Sequence, residues 1–274
     1  HKGQQVNFLT GKLGMAVMKD FGGFDHNKQS LRIVTELEQR YPEFPGLNLS
    51  WEVREGMVKH ESEYDISDAR EFNPDLRGNL ETQIANVADE LAYTTHDLDD
   101  GLRSGMINPQ ILEGIALWEI LRETYNWHGA ILSDMERHRM IRQLVGLLVT
   151  DMIKSTDARL KESKVTSFLD IQKLKHNVVG YSEEVQRRNR ELKDLLYKKL
   201  YRHFRVVRMQ VKAERIISDL FHAFHAEPST LPGHVQSLIE KRGLERTICD
   251  HIAGMTDRYA AEEHQKMFNP LEKP

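Results

Sequence analysis

Ala88-Asp89-Glu90-Leu91-Ala92-Tyr93-Thr94-Thr95-His96-Asp97-Leu98-Asp99-Asp100 is the stretch on which the reading of this 274-residue chain turns. Its apolar residues recur at helical spacing, not in alternation. Ile84, Val87, Ala88, Leu91 and Leu98 form one stripe, which predicts a long helix from about Leu80 to Gly101 with that stripe buried. Asp89, Tyr93 and Asp97 fall at i, i+4 and i+8. Each step drifts by only about 40° around a helix, so two carboxylates and a phenol project in one direction. A carboxylate is a hard ligand for a divalent cation. A second carboxylate one or two turns away can accept hydrogen bonds from a sugar hydroxyl. The same residues also read as a solvated acidic face.

Outward from this stretch the helical rhythm continues in both directions. Residues 5–20 read as a helix that stops at Gly22-Gly23. Ser30 to Arg40 carries Leu31, Val34 and Leu37 at helical spacing, and Pro42 and Pro45 bracket the turn after it. Ser50 is a candidate N-cap ahead of Trp51, Met57 and Val58. Residues 61–78 read as a loop broken by Pro74 and Gly78, and a further helix covers about 108–124. Ser133 with Glu136 forms a capping box before Ile141, Leu144, Leu147, Leu148 and Met152. Ser182 caps a pattern running from 183 to 203, with helices after it at about 206–226, 234–242 and 244–268. No linker is long or polar enough to force a boundary, so residues 1–274 read as one all-α domain.

Composition narrows the function classes. A charged fraction of 29% with ten Phe, eight Tyr and three Trp suits a core-forming protein, not a disordered one. Seventeen Gly and eight Pro exclude collagen-like and low-complexity classes. No apolar run reaches the ~18–20 residues of a membrane span. A single cysteine, Cys249, excludes a disulfide framework and any Cys-based zinc site. The net charge of −4 argues against nonspecific nucleic-acid binding through overall charge, though not against a local basic patch. Residues 1–15 lack the pattern of a signal peptide, which points to the cytoplasm. The chain opens on His1, so it reads as part of something longer.

Thirteen histidines are about twice the usual share. His26, in Phe24-Asp25-His26-Asn27-Lys28-Gln29, lies between a glycine turn and a helix. There an imidazole can bind or protonate an anion, or simply sit at the surface or cap the helix. His222 and His225 lack the carboxylate of a zinc-protease pattern and read as structural or surface residues. Leu200-Tyr201-Arg202-His203-Phe204-Arg205-Val206-Val207-Arg208 interleaves arginines with aromatics. It reads as a phosphate-facing stripe or as a solvated helix face. No Gly-rich phosphate loop, Walker signature or serine nucleophile elbow is present, which leaves kinase, P-loop and α/β-hydrolase readings unsupported.

Taken together, these segments resemble the dGTP triphosphohydrolase-like family of the HD-domain phosphohydrolases. The resemblance rests on Gly22-Gly23-Phe24-Asp25-His26-Asn27-Lys28-Gln29-Ser30-Leu31-Arg32-Ile33-Val34-Thr35, on Gly46-Leu47-Asn48-Leu49-Ser50, and on Gly56-Met57-Val58-Lys59-His60. It continues through the Asp89–Asp100 stretch, Leu200-Tyr201-Arg202-His203, Lys212-Ala213-Glu214-Arg215 and Met255-Thr256-Asp257-Arg258-Tyr259-Ala260. The matches keep their order and cover nearly the whole chain.

The resemblance implies an HD-domain-like multi-helix bundle that hydrolyses a deoxynucleoside triphosphate, dGTP or another dNTP, to deoxynucleoside and inorganic triphosphate. It implies a divalent metal (Mg, Mn or a similar transition metal) held by a His, a His-Asp pair and a later Asp that matches Asp89. The first three ligands are expected upstream of His1, since His1-Lys2-Gly3 resembles the tail of the family's HD segment. His1 and His26 are implied to contact the α-phosphate and to be candidates for the proton donor. Gln4 stands where the family commonly has a Glu that orients the adjacent His. A glutamine cannot carry the charge that supports an imidazolium. Asn27 is grouped with the substrate-binding residues. Tyr93, Asp97 and Tyr201 are implied to form the deoxyribose pocket, and Lys193 and His203 to reach phosphate. A homo-oligomer, a regulatory nucleotide and single-stranded DNA are further partners the resemblance raises, with no membrane. The alternative reading is a nucleotide-responsive or single-stranded nucleic-acid-binding helical protein with the HD fold and little turnover.

Overall fold

The computed structural model describes residues 18, 19, 21, 23–59 and 72–273. The helix expected over 5–20 and most of the loop expected over 61–78 lie outside the described residues. The first described helix is α1 (His26–Arg32), with a π turn after it at Ile33–Leu37. Next come α2 (Trp51–Val58), α3 (Leu80–Arg103), α4 (Pro109–Leu112), α5 (Ala116–Thr124), α6 (Asp134–Ser163) and α7 (Phe168–Gln172). Then α8 (Glu183–Leu196) runs into a second π turn at Tyr197–Tyr201, and α9 (Phe204–Ala226) comes after it. The remaining helices are α10 (Gly233–Gln236), α11 (Ile239–Arg242), α12 (Leu244–Ala253) and α13 (Asp257–Phe268). Among the described residues the only β pairings are two isolated bridges, Gln39 with Gly46 and Tyr41 with Phe44. The class is all-α.

Short polar side chains set the helix starts, at Ser50, Ser133 and Ser182 as predicted. Ser50 accepts from the Val53 N–H at 3.4 Å. Ser182 accepts from Val185 N–H at 3.3 Å. Asn79 does the same for α3, accepting from Thr82 N–H at 2.8 Å. The box at the head of α6 is closed on both sides: Ser133 Oγ accepts from Glu136 N–H at 3.3 Å, and Glu136 Oε2 accepts from Ser133 N–H at 2.8 Å. Each satisfies a backbone donor that a helix end leaves orphaned.

The helices expected over 108–124, 234–242 and 244–268 are each broken in two. Gly114 separates α4 from α5 with φ +84°, a conformation that costs a side-chain-bearing residue. Thr256 starts α13 afresh by accepting from Tyr259 N–H at 3.2 Å. The pattern over 183–203 ends as a π turn whose Arg202 N–H reaches back to the Tyr197 carbonyl at 3.2 Å. The pattern over 30–40 divides between α1 and the first π turn. Apolar periodicity survives such breaks, because both halves face the same core.

The chain divides into two compact units. The unit formed by residues 49–206 packs α3 chiefly against α6, with α8 and α2 also against α3. Leu91 and Leu98 of α3, Leu144 and Leu148 of α6, Trp118 and Leu121 of α5, and Leu192 and Leu196 of α8 fill one core. Each fully buried leucine contributes roughly 2 kcal/mol through water released from apolar surface. The expected stripe on α3 needs correction at two positions. Ile84 is 42% exposed and Ala88 is exposed. Thr94 and Thr95 are buried instead, and their hydroxyls return to the carbonyls of Glu90 at 3.0 Å and Leu91 at 2.9 Å. Satisfied in this way, a threonine enters a core almost as an apolar residue.

A buried polar knot joins α2, α3's approach and α7. Lys59 Nζ donates to Glu55 Oε1 at 2.8 Å, to the Asn73 carbonyl at 3.0 Å and to the Leu76 carbonyl at 2.8 Å. Gln172 Nε2 donates to Glu55 Oε2 at 3.1 Å. Gly56 lets α2 lie close to α3: a Cβ there would sit 2.5 Å from Thr82 Oγ1.

The unit formed by residues 1–48 and 207–274 has its own core. Phe24, Leu220, Phe221, Phe224, Ile248 and Ile252 are buried together. Cys249 is buried there, and that burial pushes its thiol up to about 11, so it remains a neutral packing residue. His222 and His225 lie at the surface, as expected. His225 stacks on Phe221 and its Nε2 lies 3.2 Å from Glu245 Oε1.

Candidate active site

Tyr93 and Asp97 stand one turn apart on α3, and Tyr201 closes the π turn after α8. The rings of Tyr93 and Tyr201 stack with centroids 5.9 Å apart and planes 11° from parallel. Tyr197 continues the stack, 6.4 Å from Tyr201 at 29°. The Tyr201 hydroxyl donates to Asp97 Oδ2. The site is thus an aromatic wall with a carboxylate at its edge. A single π turn widens the helix by one residue and re-aims the side chains beyond it, a feature often found at functional sites.

The electrostatics of this pair point in one direction. Burial raises the Asp97 carboxyl to about 6, the Tyr201 hydrogen bond works against the shift, and the Asp100 charge adds to it. Tyr201 is pushed far above the usual phenol range, first by burial and then by the Asp97 charge. Tyr201 therefore stays a phenol and a donor at all physiological pH. Asp97 is the group of the pair that changes charge near neutrality.

Lys193 lies two turns before Tyr201. Its Nζ sits 3.3 Å from Glu90 Oε1, which also accepts from Asn189 Nδ2 at 3.3 Å. Sequence reasoning missed Glu90, Asn189 and Tyr197. A signal was present: Asn189, Lys193, Tyr197 and Tyr201 recur every fourth residue, matching Asp89, Tyr93 and Asp97 on α3. His203 precedes the first residue of α9, where its Nδ1 accepts from the Arg205 N–H at 3.3 Å and its ring lies 4.7 Å from that of Phe204. The imidazole thus accepts from a backbone donor in the first turn of the helix. Asp89 lies on an exposed part of α3, one turn before Tyr93.

His26 and Asn27 open α1 in the other unit. Asp25 caps them, accepting from Asn27 N–H at 2.9 Å and Lys28 N–H at 3.1 Å. Asn27 is buried and His26 half-buried. His1 and Gln4 lie outside the described residues. Among the described residues no three His, Cys, Asp or Glu side chains form a group able to hold a metal. Asp89 by itself offers the hard oxygen a divalent cation prefers. Among the described residues no helix is long and apolar enough to cross a membrane.

Residues 179–266, which include α8, the π turn and α9, match the family described as the phosphohydrolase-associated domain. An all-helical chain with this segment is of the HD-type phosphohydrolase class. A deoxyguanosinetriphosphate triphosphohydrolase-like protein of Geobacter sulfurreducens is 44% identical over 260 residues, covering 94% of this chain and 68% of the relative. Proteins of the same description from Parvibaculum lavamentivorans and Leptospira interrogans are 36% and 39% identical, covering 92% and 97% of this chain and 68% and 69% of the relatives. The chain belongs to the deoxyguanosinetriphosphate triphosphohydrolase-like family and is a phosphohydrolase.

Proposed function

We propose that the protein hydrolyses a deoxynucleoside triphosphate to the deoxynucleoside and inorganic triphosphate, with a divalent metal as cofactor. The observation that carries this reading is the Tyr201–Asp97 hydrogen bond beneath the stacked Tyr93 ring. An acceptor beside an aromatic face suits a sugar: Asp97 takes the 3′-hydroxyl, and a ring against the 2′ carbon leaves no room for a ribose hydroxyl. Residues 1–274 act in this reading as one HD-type domain, in a cytoplasmic homo-oligomer.

Asp89 is the residue proposed to ligate the metal. The chemistry a divalent cation supplies in such a site is activation of water and polarisation of a phosphoryl oxygen. In the reaction the water oxygen bonds to the α-phosphorus, the bond from phosphorus to O5′ breaks, and O5′ gains a proton. His1 and His26 are proposed as the α-phosphate contacts and proton donors, with Gln4 orienting His1. Asn27, Lys193 and His203 complete the contacts to substrate. Phosphoryl transfer relies on positioning and charge stabilisation, which suits polar groups gathered from several helices.

The test is incubation of the purified protein with each of the four dNTPs, singly and mixed, with Mn²⁺ or Mg²⁺. Release of deoxynucleoside and triphosphate in equal amounts is expected; no release under any combination overturns the proposal. One observation favours a second reading, single-stranded nucleic-acid binding with little turnover. Phe204 is 57% exposed and the Arg205 guanidinium lies over its ring, 5.8 Å from the centroid. Salt-sensitive binding of an oligonucleotide without product formation is its signature.

A further inference from the structure

The unit formed by residues 1–48 and 207–274 holds a cavity of about 420 Å³. It is lined by Arg32, Glu36, Pro45, Lys241, Arg242 and Arg246. Arg32 ends α1 and Glu36 lies in the π turn after it; Lys241 and Arg242 end α11 and Arg246 lies in the first turn of α12. Four cations therefore share a small concavity with one carboxylate.

Three of the four are braced. Asp250, almost fully buried, accepts from Arg32 Nη2 at 2.7 Å and lies 3.8 Å from Arg242 Nη1. Its other oxygen accepts from Gln29 Nε2 at 3.0 Å. Arg246 Nη2 donates to the Gly23 carbonyl at 3.0 Å. Arg32 Nη1 also reaches Glu36 Oε2 at 3.3 Å. Among the described residues, two carboxylates thus offset two of the four positive charges and leave a surplus of two. Arg32 Nε is buried with no hydrogen-bond partner, and among the described residues Lys241 makes no ion pair or hydrogen bond.

Like charges held this close repel one another unless an anion joins them. Fixed guanidinium forks match phosphate oxygens in pairs, and a mobile lysine adds a point charge. A lone carboxylate would satisfy one fork; a chain of phosphates spans several. We propose that this cavity binds the oligophosphate of a small molecule, either free inorganic oligophosphate or the phosphate tail of a nucleotide. The proposal uses none of the residues assigned to hydrolysis, so each can fail without the other.

The test follows acetylation of lysines by mass spectrometry on the whole protein, with Lys161, an exposed lysine of the other unit, as reference. Inorganic triphosphate is expected to slow labelling of Lys241 at least fivefold, and Lys161 little. Equal protection by triphosphate and by a non-hydrolysable deoxynucleoside triphosphate means that the tail suffices; protection by the nucleotide alone assigns the site to nucleotides. Arg242→Glu is expected to abolish the protection with helicity unchanged, and labelling of the wild-type protein decides the matter if that variant does not fold. Labelling of Lys241 that ignores both ligands, or that sulfate slows equally at matched ionic strength, overturns the proposal.

Discussion

The Tyr201 hydroxyl donates to the Asp97 carboxylate across 104 positions of sequence. Because burial outweighs that bond, the carboxyl sits near 6 when folded against an ordinary value of 3.8. The folded state thus binds more protons than the unfolded state between these values, and stability contributed at this site falls as pH rises from about 4 to 6. Asp97→Asn removes the penalty. Urea denaturation across pH 4–8 should show the variant more stable than wild type above pH 6, by up to about 3 kcal/mol, with the difference vanishing near pH 4.

Tyr201→Phe keeps the ring and deletes the donor. The ionised form of Asp97 loses its hydrogen bond, so its pKa rises further. If Asp97 accepts from the 3′-hydroxyl, the acid limb of the kcat/KM profile should move to higher pH, by up to about one unit. An unmoved limb would mean that Asp97 does not titrate in catalysis. Tyr201→Ala, which removes the wall, should instead narrow the preference for deoxynucleotides over ribonucleotides.

Asp89→Ala tests the metal assignment. Metal-dependent turnover should drop by 100-fold or more, with circular dichroism unchanged, because the side chain is exposed and packs no core. Retention of full activity would remove Asp89 from the site.

Lys59 tests the buried knot. Lys59→Met leaves Glu55 buried without its cation and should cost about 3–5 kcal/mol in chemical denaturation. The double variant Glu55→Leu with Lys59→Met should be less destabilised than the single one, since it buries no orphan charge.

Much of the fold was legible because helix signals are local. Ser133 and Glu136 lie three residues apart and make their box without help from distant chain. The break at Gly114 was harder to see, since apolar spacing runs on through it while φ turns positive. Apolar spacing includes Ile84 in the α3 stripe although it is exposed, and it omits Thr94 and Thr95, whose hydroxyls bond the carbonyls of Glu90 and Leu91 and so let them be buried. His203 was read through its chemistry alone, and only the start of α9 shows that its Nδ1 has a structural partner.

From sequence alone came the all-helical class, most helix starts, the family and the alignment of Asp89, Tyr93 and Asp97 on one face. Those rest on periodicity, caps and ordered motifs, all of which act over a few residues. Tertiary structure alone decided that the Tyr201 hydroxyl donates to Asp97 while its ring stacks on Tyr93, that Glu90 meets Lys193, and that Arg32 shares a cavity with Lys241, Arg242 and Arg246. Contacts between residues a hundred or more positions apart depend on how packed helices and a π turn orient them, and no local rule of spacing carries that information.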